Sequence, residues 1–180
     1  MIDRGSSACY MNYQSIGKCD LLEVCRKYPT PFYVYDIESV EDLINEIKKH
    51  LESDIKLYYA VKANPNREIL KRVRQRVDGA DISSGGELLH ALQAGFPADS
   101  LSFAGPGKTD EDLWSAVRKE IGTISIESLN ELRRVEAIAA HSGTKANVSL
   151  RINPSRMLKG FAMKMGGGSS QFGIDEEDCL

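Results

Sequence analysis

The sequence predicts an α/β protein of the (β/α)8 TIM-type barrel class, of which it supplies about the first five βα units. Three observations carry that prediction. Strand-like runs begin at Lys56, Ala80, Leu101, Thr123 and Asn147, at spacings of 24, 21, 22 and 24 residues. Helical segments lie between them, and strand–helix alternation at this period means βαβ units and a parallel sheet. Finally, each run has one apolar and one polar face. Leu57, Tyr59, Val61, Ile82, Ile124, Ile126, Val148, Leu150 and Ile152 stand opposite Tyr58, Ala60, Lys62, Asp81, Ser83, Ser125, Glu127, Ser149 and Arg151. Central strands of an open doubly wound sheet are covered by helices on both faces and should be apolar on both. A barrel meets helices only outside and holds chemistry at its inner mouth.

The elements follow in order. Residues 1–29 are weakly patterned and read as an N-terminal extension with one short helix around Asp20–Lys27. Pro31-Phe-Tyr-Val-Tyr35 is aromatic and β-branched, which predicts a strand. Ser39 then opens a helix with an apolar stripe at Val40, Leu43, Ile44, Ile47 and Leu51. Asn64-Pro65 reads as an N-cap followed by proline at the first helical position. Ser84 with Glu87 and Ser128 with Glu131 have the spacing of capping boxes, and Thr109 with Asp112 is a weaker version. Gly95 and Gly143 sit where a left-handed residue ends a helix.

Composition removes several classes of function. The 180 residues carry 23 Lys+Arg against 26 Asp+Glu, a net charge of -3, which favours neither nucleic acid nor an anionic membrane as partner. Apolar residues make up 42%, a core-forming proportion. No run approaches the roughly 20 apolar residues of a membrane span, and the N-terminus has no apolar signal core. Cysteines stand at 9, 19, 25 and 179 without a Cys-x-x-Cys pair or a histidine at zinc spacing, so free thiols in a reducing cytoplasm are expected, and no metal site.

Eight strands at ~23 residues per unit need roughly 190 residues beyond Lys56, in a fold of about 250. Only 125 remain to Leu180. The chain is therefore expected to be the front part of a larger enzyme, stopping after Gln171-Phe-Gly-Ile-Asp175 where another helix begins.

Lys62 is the first candidate for chemistry, at the mouth of the first barrel strand. Desolvation and a neighbouring cation such as Arg151 would favour its neutral amine, able to attack a carbonyl. On spacing alone it is equally a solvated lysine at a strand end. Asp81 and Arg151 are charged residues on inward faces, readable also as a structural ion pair. Gly105-Pro-Gly-Lys-Thr109 imitates a phosphate loop, but that pattern needs glycine where the chain has Ser102, and Pro106 removes a backbone donor. His50, His90 and His141 fall on outer helices, and Trp114 reads as core. Met163-Lys-Met-Gly-Gly-Gly-Ser-Ser170 reads as a loop after the fifth strand; the span Met157–Gln171 is expected to be mobile and to govern substrate choice.

Tyr58-Tyr-Ala-Val-Lys-Ala-Asn-Pro65 resembles the first-strand motif of fold-type III pyridoxal-phosphate (PLP) enzymes. Thr30-Pro-Phe-Tyr-Val-Tyr-Asp36, Asp81-Ile-Ser-Ser-Gly-Gly-Glu-Leu88, Phe103-Ala-Gly-Pro-Gly-Lys108 and Leu150-Arg-Ile-Asn-Pro154 follow in that family's order. The subgroup resembled is the amino-acid decarboxylases related to diaminopimelate and ornithine decarboxylase. The resemblance implies Lys62 as the Schiff-base lysine, Asp81 and Arg151 as cofactor-binding residues, pyridoxal 5'-phosphate as cofactor and an amino acid as substrate. Lys-Met-Gly-Gly-Gly-Ser-Ser-Gln-Phe-Gly departs from the diaminopimelate type, which has a histidine-bearing segment there. It is more similar to decarboxylases of secondary-metabolite clusters, some acting on carrier-protein-bound amino acids.

The domain reading is an extension over 1–29 and an incomplete PLP-binding barrel over 30–180, whose C-terminal part and following β-domain are absent. The resemblance implies a homodimeric, cytoplasmic parent enzyme, with the 180-residue chain inactive on its own. A non-catalytic PLP-binding regulatory barrel and an alanine-racemase-type enzyme remain as alternatives. The former lacks the Gly-Pro-Gly-Lys and Arg-Ile-Asn-Pro segments, the latter the Ser-Gly-Gly-Glu-Leu and Gly-Pro-Gly-Lys segments.

Overall fold

The computed structural model describes residues 15–155 and 170–179. In chain order the elements are β1 (Ser15–Ile16), β2 (Cys19–Asp20), α1 (Leu21–Lys27), α2 (Ile37–Lys49), β3 (Tyr58–Ala60), α3 (Arg67–Val73), β4 (Gly79–Ile82) and α4 (Gly85–Ala94). Then come β5 (Leu101–Phe103), α5 (Asp110–Arg118), β6 (Thr123–Ile126), α6 (Leu129–Ser142), β7 (Val148–Leu150), β8 (Ile152–Asn153) and β9 (Ile174–Asp175).

β3 to β7 form one parallel sheet whose spatial order is the chain order, β3-β4-β5-β6-β7. Aligned partners are 21 residues apart at the first three interfaces and 24 at the fourth. A doubly wound sheet reverses its strand order at a switch point; this one never does. The helices are neighbours in the same sequence, α3 on α4, α4 on α5 and α5 on α6. One layer of helices over sequential parallel strands is the wall of a (β/α) barrel.

The alternation read from the sequence lies beneath those helices. Val61, Ile82, Phe103, Ile124 and Ile126 are buried with Leu70, Leu88, Leu113 and Val135 in the main core. A smaller cluster of Ile44, Ile69 and Val73 fastens α2 onto α3. Buried Glu41 reinforces it, accepting from Arg72 Nε at 2.7 Å and Arg76 Nη2 at 3.1 Å. At the far end of the sheet the outward residues Val148 and Leu150 are exposed.

Several expected boundaries shift, for local reasons. Residues 31–35 form no strand, because high β propensity finds no neighbouring strand among the described residues. α2 begins before Ser39, capped by Asp36, whose side chain accepts from the Ser39 amide. α3 begins after Asn66, not Asn64: the Asn64 side chain accepts from the Asn66 amide, and Asn66 then caps the helix through Glu68 and Ile69. Proline at 65 keeps Asn64 extended and delays the helix.

Of the three capping boxes, the one expected to be weaker, Thr109 with Asp112, is the reciprocal one. Ser84 and Ser128 cap as expected, but Glu87 and Glu131 reach one residue further back, to the amides of Ser83 and Glu127. Gly95 (φ 92°) and Gly143 (φ 64°) end α4 and α6 in the left-handed region, as the sequence predicts. The extension holds α1, capped by Asp20, and an unanticipated β1–β2 hairpin. Cys19, Cys25 and Cys179 are free thiols, and Cys9 lies outside the described residues. No helix is long and apolar enough to cross a membrane among the described residues.

Candidate active site

Parallel strands bring all their C-terminal ends to one rim, so the residues following each strand meet whatever their separation in sequence. β3 runs into a 3₁₀ turn, Val61–Ala63, that carries Lys62; Lys62 thus follows the strand, where the sequence places it on the strand's end. Asp81 points inward from β4, Glu127 follows β6 and Arg151 follows β7. Lys62, Asp81, Ser83, Ser125, Arg151 and Phe172 line one cleft of about 1090 Å³, with residues 104–107 forming part of its wall. The three residues singled out from sequence therefore share one site.

Their environments differ. Lys62 is exposed, so the desolvation expected from sequence is not supplied by the described residues. Burial pushes the Asp81 carboxyl above its ordinary value, outweighing the Ser102 hydroxyl that donates to it and the positive charges of Lys62 and Arg151. Burial also works to raise Glu127. The N–H groups of Gly105 and Gly173 and the Arg151 guanidinium overcome it and hold that carboxyl below the ordinary range.

Asp81 supplies a pH test. Its folded form binds a proton more tightly than the unfolded chain does, so ionising it costs folding free energy. That penalty is absent below the ordinary value of 3.8 and complete above the raised one. Asp81→Asn, still able to accept from Ser102, should melt above the wild type at pH 7, and the two curves should converge below pH 3.8. A variant less stable than wild type at pH 7 would show that the attraction of its charge to the two nearby cations dominates.

Glu127 received no role from sequence beyond its inward face, yet it is the hub of this rim. Its Oε1 accepts from Gly105 N at 2.8 Å and Arg151 Nη1 at 3.0 Å, and its Oε2 from Gly173 N at 2.8 Å. The available signal was its position immediately after a barrel strand. The Arg151 guanidinium also lies 4.8 Å from the centre of the Phe172 ring. β8 and β9 pair in parallel beside it, and Asn153 Nδ2 donates to Asp175 at 2.7 Å. Asp175 therefore stands in a short strand, with a 3₁₀ turn, Glu176–Cys179, directly after it.

The phosphate-loop imitation is resolved by Lys108, whose ammonium faces inward. It donates to Gly105 O at 2.7 Å, Ser125 O at 2.6 Å and both oxygens of Glu131. His141 packs edge-on against Trp114, away from the cleft. The expected substrate loop lies almost wholly outside the described residues, of which Ser170 and Gln171 line the cleft.

The donor set fits pyridoxal phosphate: an exposed primary amine, a carboxyl and a guanidinium share a cleft. Gly107 adds room, since a Cβ there would meet nothing within 4 Å. Comparison with known proteins points the same way. The chain is 36% identical to L-glutamyl-[BtrI acyl-carrier protein] decarboxylase of Niallia circulans, over 90% of this chain and 38% of that protein. It is 37% identical to 2-[(L-alanin-3-ylcarbamoyl)methyl]-2-hydroxybutanedioate decarboxylase of Staphylococcus aureus, over 85% of this chain and 38% of that protein. The crystal structure of diaminopimelate decarboxylase from Helicobacter pylori complexed with L-lysine superposes with a TM-score of 0.81 at 33% identity, covering 89% of this chain and 41% of that one. The chain thus spans about two fifths of the length of these relatives. Residues 37–180 match the family described as pyridoxal-dependent decarboxylase, pyridoxal binding domain, and the chain belongs to that family.

Proposed function

We propose that the protein carrying this chain decarboxylates an amino acid with pyridoxal phosphate, and that Lys62 attaches the cofactor while Asp81 and Arg151 bind it. The observation that supports this most is the convergence of those three side chains on one cleft from strands far apart in sequence. When bound, pyridoxal phosphate supplies an electron sink for the pair released from the Cα–carboxylate bond. Lys62 Nζ would be the attachment point, a primary amine lining the cleft, and would move a proton at the cofactor's edge. Asp81 would offer its carboxyl to a cationic part of the bound group from the same cleft. Arg151 would offer N–H donors to an oxyanion of the bound group, and Phe172 an apolar wall beside it.

For the substrate we favour an amino acid borne on a larger body, such as a carrier protein, over free diaminopimelate. The names of two relatives support this: one acts on a glutamyl group on an acyl-carrier protein, the other on an alanin-3-yl group in amide linkage. The parent enzyme is proposed to be a homodimer. For the 180 residues alone we expect no release of carbon dioxide, since the outer face of β7 is exposed and lacks a covering layer among the described residues.

The test is borohydride reduction of the cofactor-loaded protein followed by peptide mapping, with the pyridoxyl group expected on Lys62. Labelling of another lysine would overturn the assignment. Release of carbon dioxide from carrier-bound glutamate, and not from diaminopimelate, would support the substrate; the opposite preference would reject it.

A further inference from the structure

Glu127 joins three parts of the chain at one carboxylate. Its side chain is 2% exposed, and both of its oxygens are engaged. One neighbour is Gly105, on the loop that walls the cleft, with φ of 109°. Gly105 is gripped from both sides, its N–H by Glu127 and its carbonyl by the buried Lys108 ammonium. A second neighbour is Gly173, beside Phe172. The third is Arg151, which Glu127 meets at one edge and Phe172 meets at its face. An arginine is flexible along its stem, so its guanidinium reaches a defined point only where more than one partner constrains it. Here a carboxylate and a ring do so, and Arg151 remains close enough to Asp81 to act on it electrostatically.

We propose that Glu127 is the positioning residue of this site: its carboxylate aims Arg151 into the cleft and ties the Gly105 wall and the Gly173 backbone beside Phe172 to that aim. The inference rests on the functional reading above for its catalytic consequence, but not for its structural one. Glu127 touches neither cofactor nor substrate in this scheme and acts through Arg151. A carboxylate is needed because all three partners are donors. A glutamine has one acceptor oxygen, and its NH₂ would face a donor at one of the three places.

The experiment compares Glu127→Gln, Glu127→Asp, Arg151→Lys and the double variant Glu127→Gln/Arg151→Lys in the whole protein that carries this chain. In the cofactor-free protein, amide hydrogen exchange at Gly105 and Gly173 should accelerate about 10-fold or more in Glu127→Gln, as these N–H groups lose a charged acceptor. In the loaded enzyme kcat should fall about 10- to 100-fold with a smaller change in KM, the signature of misplacement rather than lost binding. The double variant should be no slower than Arg151→Lys alone, because both remove the same aim. Glu127→Asp, keeping the charge on a shorter arm, should recover part of the rate and serves if Glu127→Gln does not fold. Unchanged exchange at both glycines, or losses that multiply fully in the double variant, would overturn the proposal. If the wild type carries no pyridoxyl group at Lys62, the functional reading fails, while the exchange result still judges the role of Glu127.

Discussion

Replacing Lys62 with alanine is expected to lower decarboxylation by the protein carrying this chain by at least about 1000-fold, or about 4 kcal/mol of barrier. The melting temperature should move by less than about 2 °C, since Lys62 is exposed and surface substitutions generally change stability by about 0.5 kcal/mol or less. Lys62→Arg should fail equally: a guanidinium stays protonated and offers no nucleophilic nitrogen. A small primary amine added to Lys62→Ala should restore part of the rate, because it replaces the lost group and nothing else. Carbon dioxide release and a thermal melt on the same preparations check both halves. Retained activity in Lys62→Ala would remove this residue from the chemistry.

The largest stability effect is expected behind the cleft, at Lys108 and Glu131. Their side chains are 0% and 4% exposed and meet at 3.1 Å. Lys108→Met should leave the Glu131 carboxylate buried without its cation, and removing one partner of a buried pair costs about 3–5 kcal/mol. In a chain of this size that lowers the melting temperature by on the order of 10 °C. Adding Glu131→Gln should recover part of the loss, since no charge is then stranded. The recovery should be incomplete, because the carbonyls of Gly105 and Ser125 would still lack the Lys108 ammonium. Thermal denaturation followed by circular dichroism measures each variant. A Lys108→Met protein melting within 2–3 °C of the wild type, a shift worth about 1 kcal/mol, would mean that the pair is readily replaced by apolar packing.

The sheet and the rim were legible because both obey short periods. Alternation places Ile82 outward and Asp81 inward whatever the rest of the chain does. Lys62, Asp81 and Arg151 could be proposed together because each comes from the mouth of a parallel strand, and the family motifs agree with that placement. What stayed hidden depends on distance in space. Nothing near Glu127 in sequence announces that the amides of Gly105 and Gly173 will converge on it. Ser102 and Pro106 argue against a phosphate loop at 105–109, but nothing in the sequence shows that Lys108 turns inward to Glu131. Pro31–Tyr35 has the composition of a strand, but a strand exists only with a partner. Caps fell between these cases: Ser84, Thr109 and Ser128 were readable, but the reach of Glu87 and Glu131 past their caps follows from where the preceding strand leaves its last amide.

The monotonic strand order also bears on how the chain reaches this arrangement. Each new strand pairs with its immediate predecessor, 21 or 24 residues behind it. Closing a loop of that length costs about 2.7 kcal/mol beyond a constant, and the longest such step costs only about 0.1 kcal/mol more. From β3 to β7 no pairing waits for a residue made much later, so this part of the sheet can grow by accretion as the polypeptide leaves the ribosome. Among the described residues, one free edge then belongs at every moment to the most recently made strand, and the other stays with β3. The small cluster joining α2 to α3 is built entirely from residues that precede β4, so its parts are all made before the sheet has its second strand.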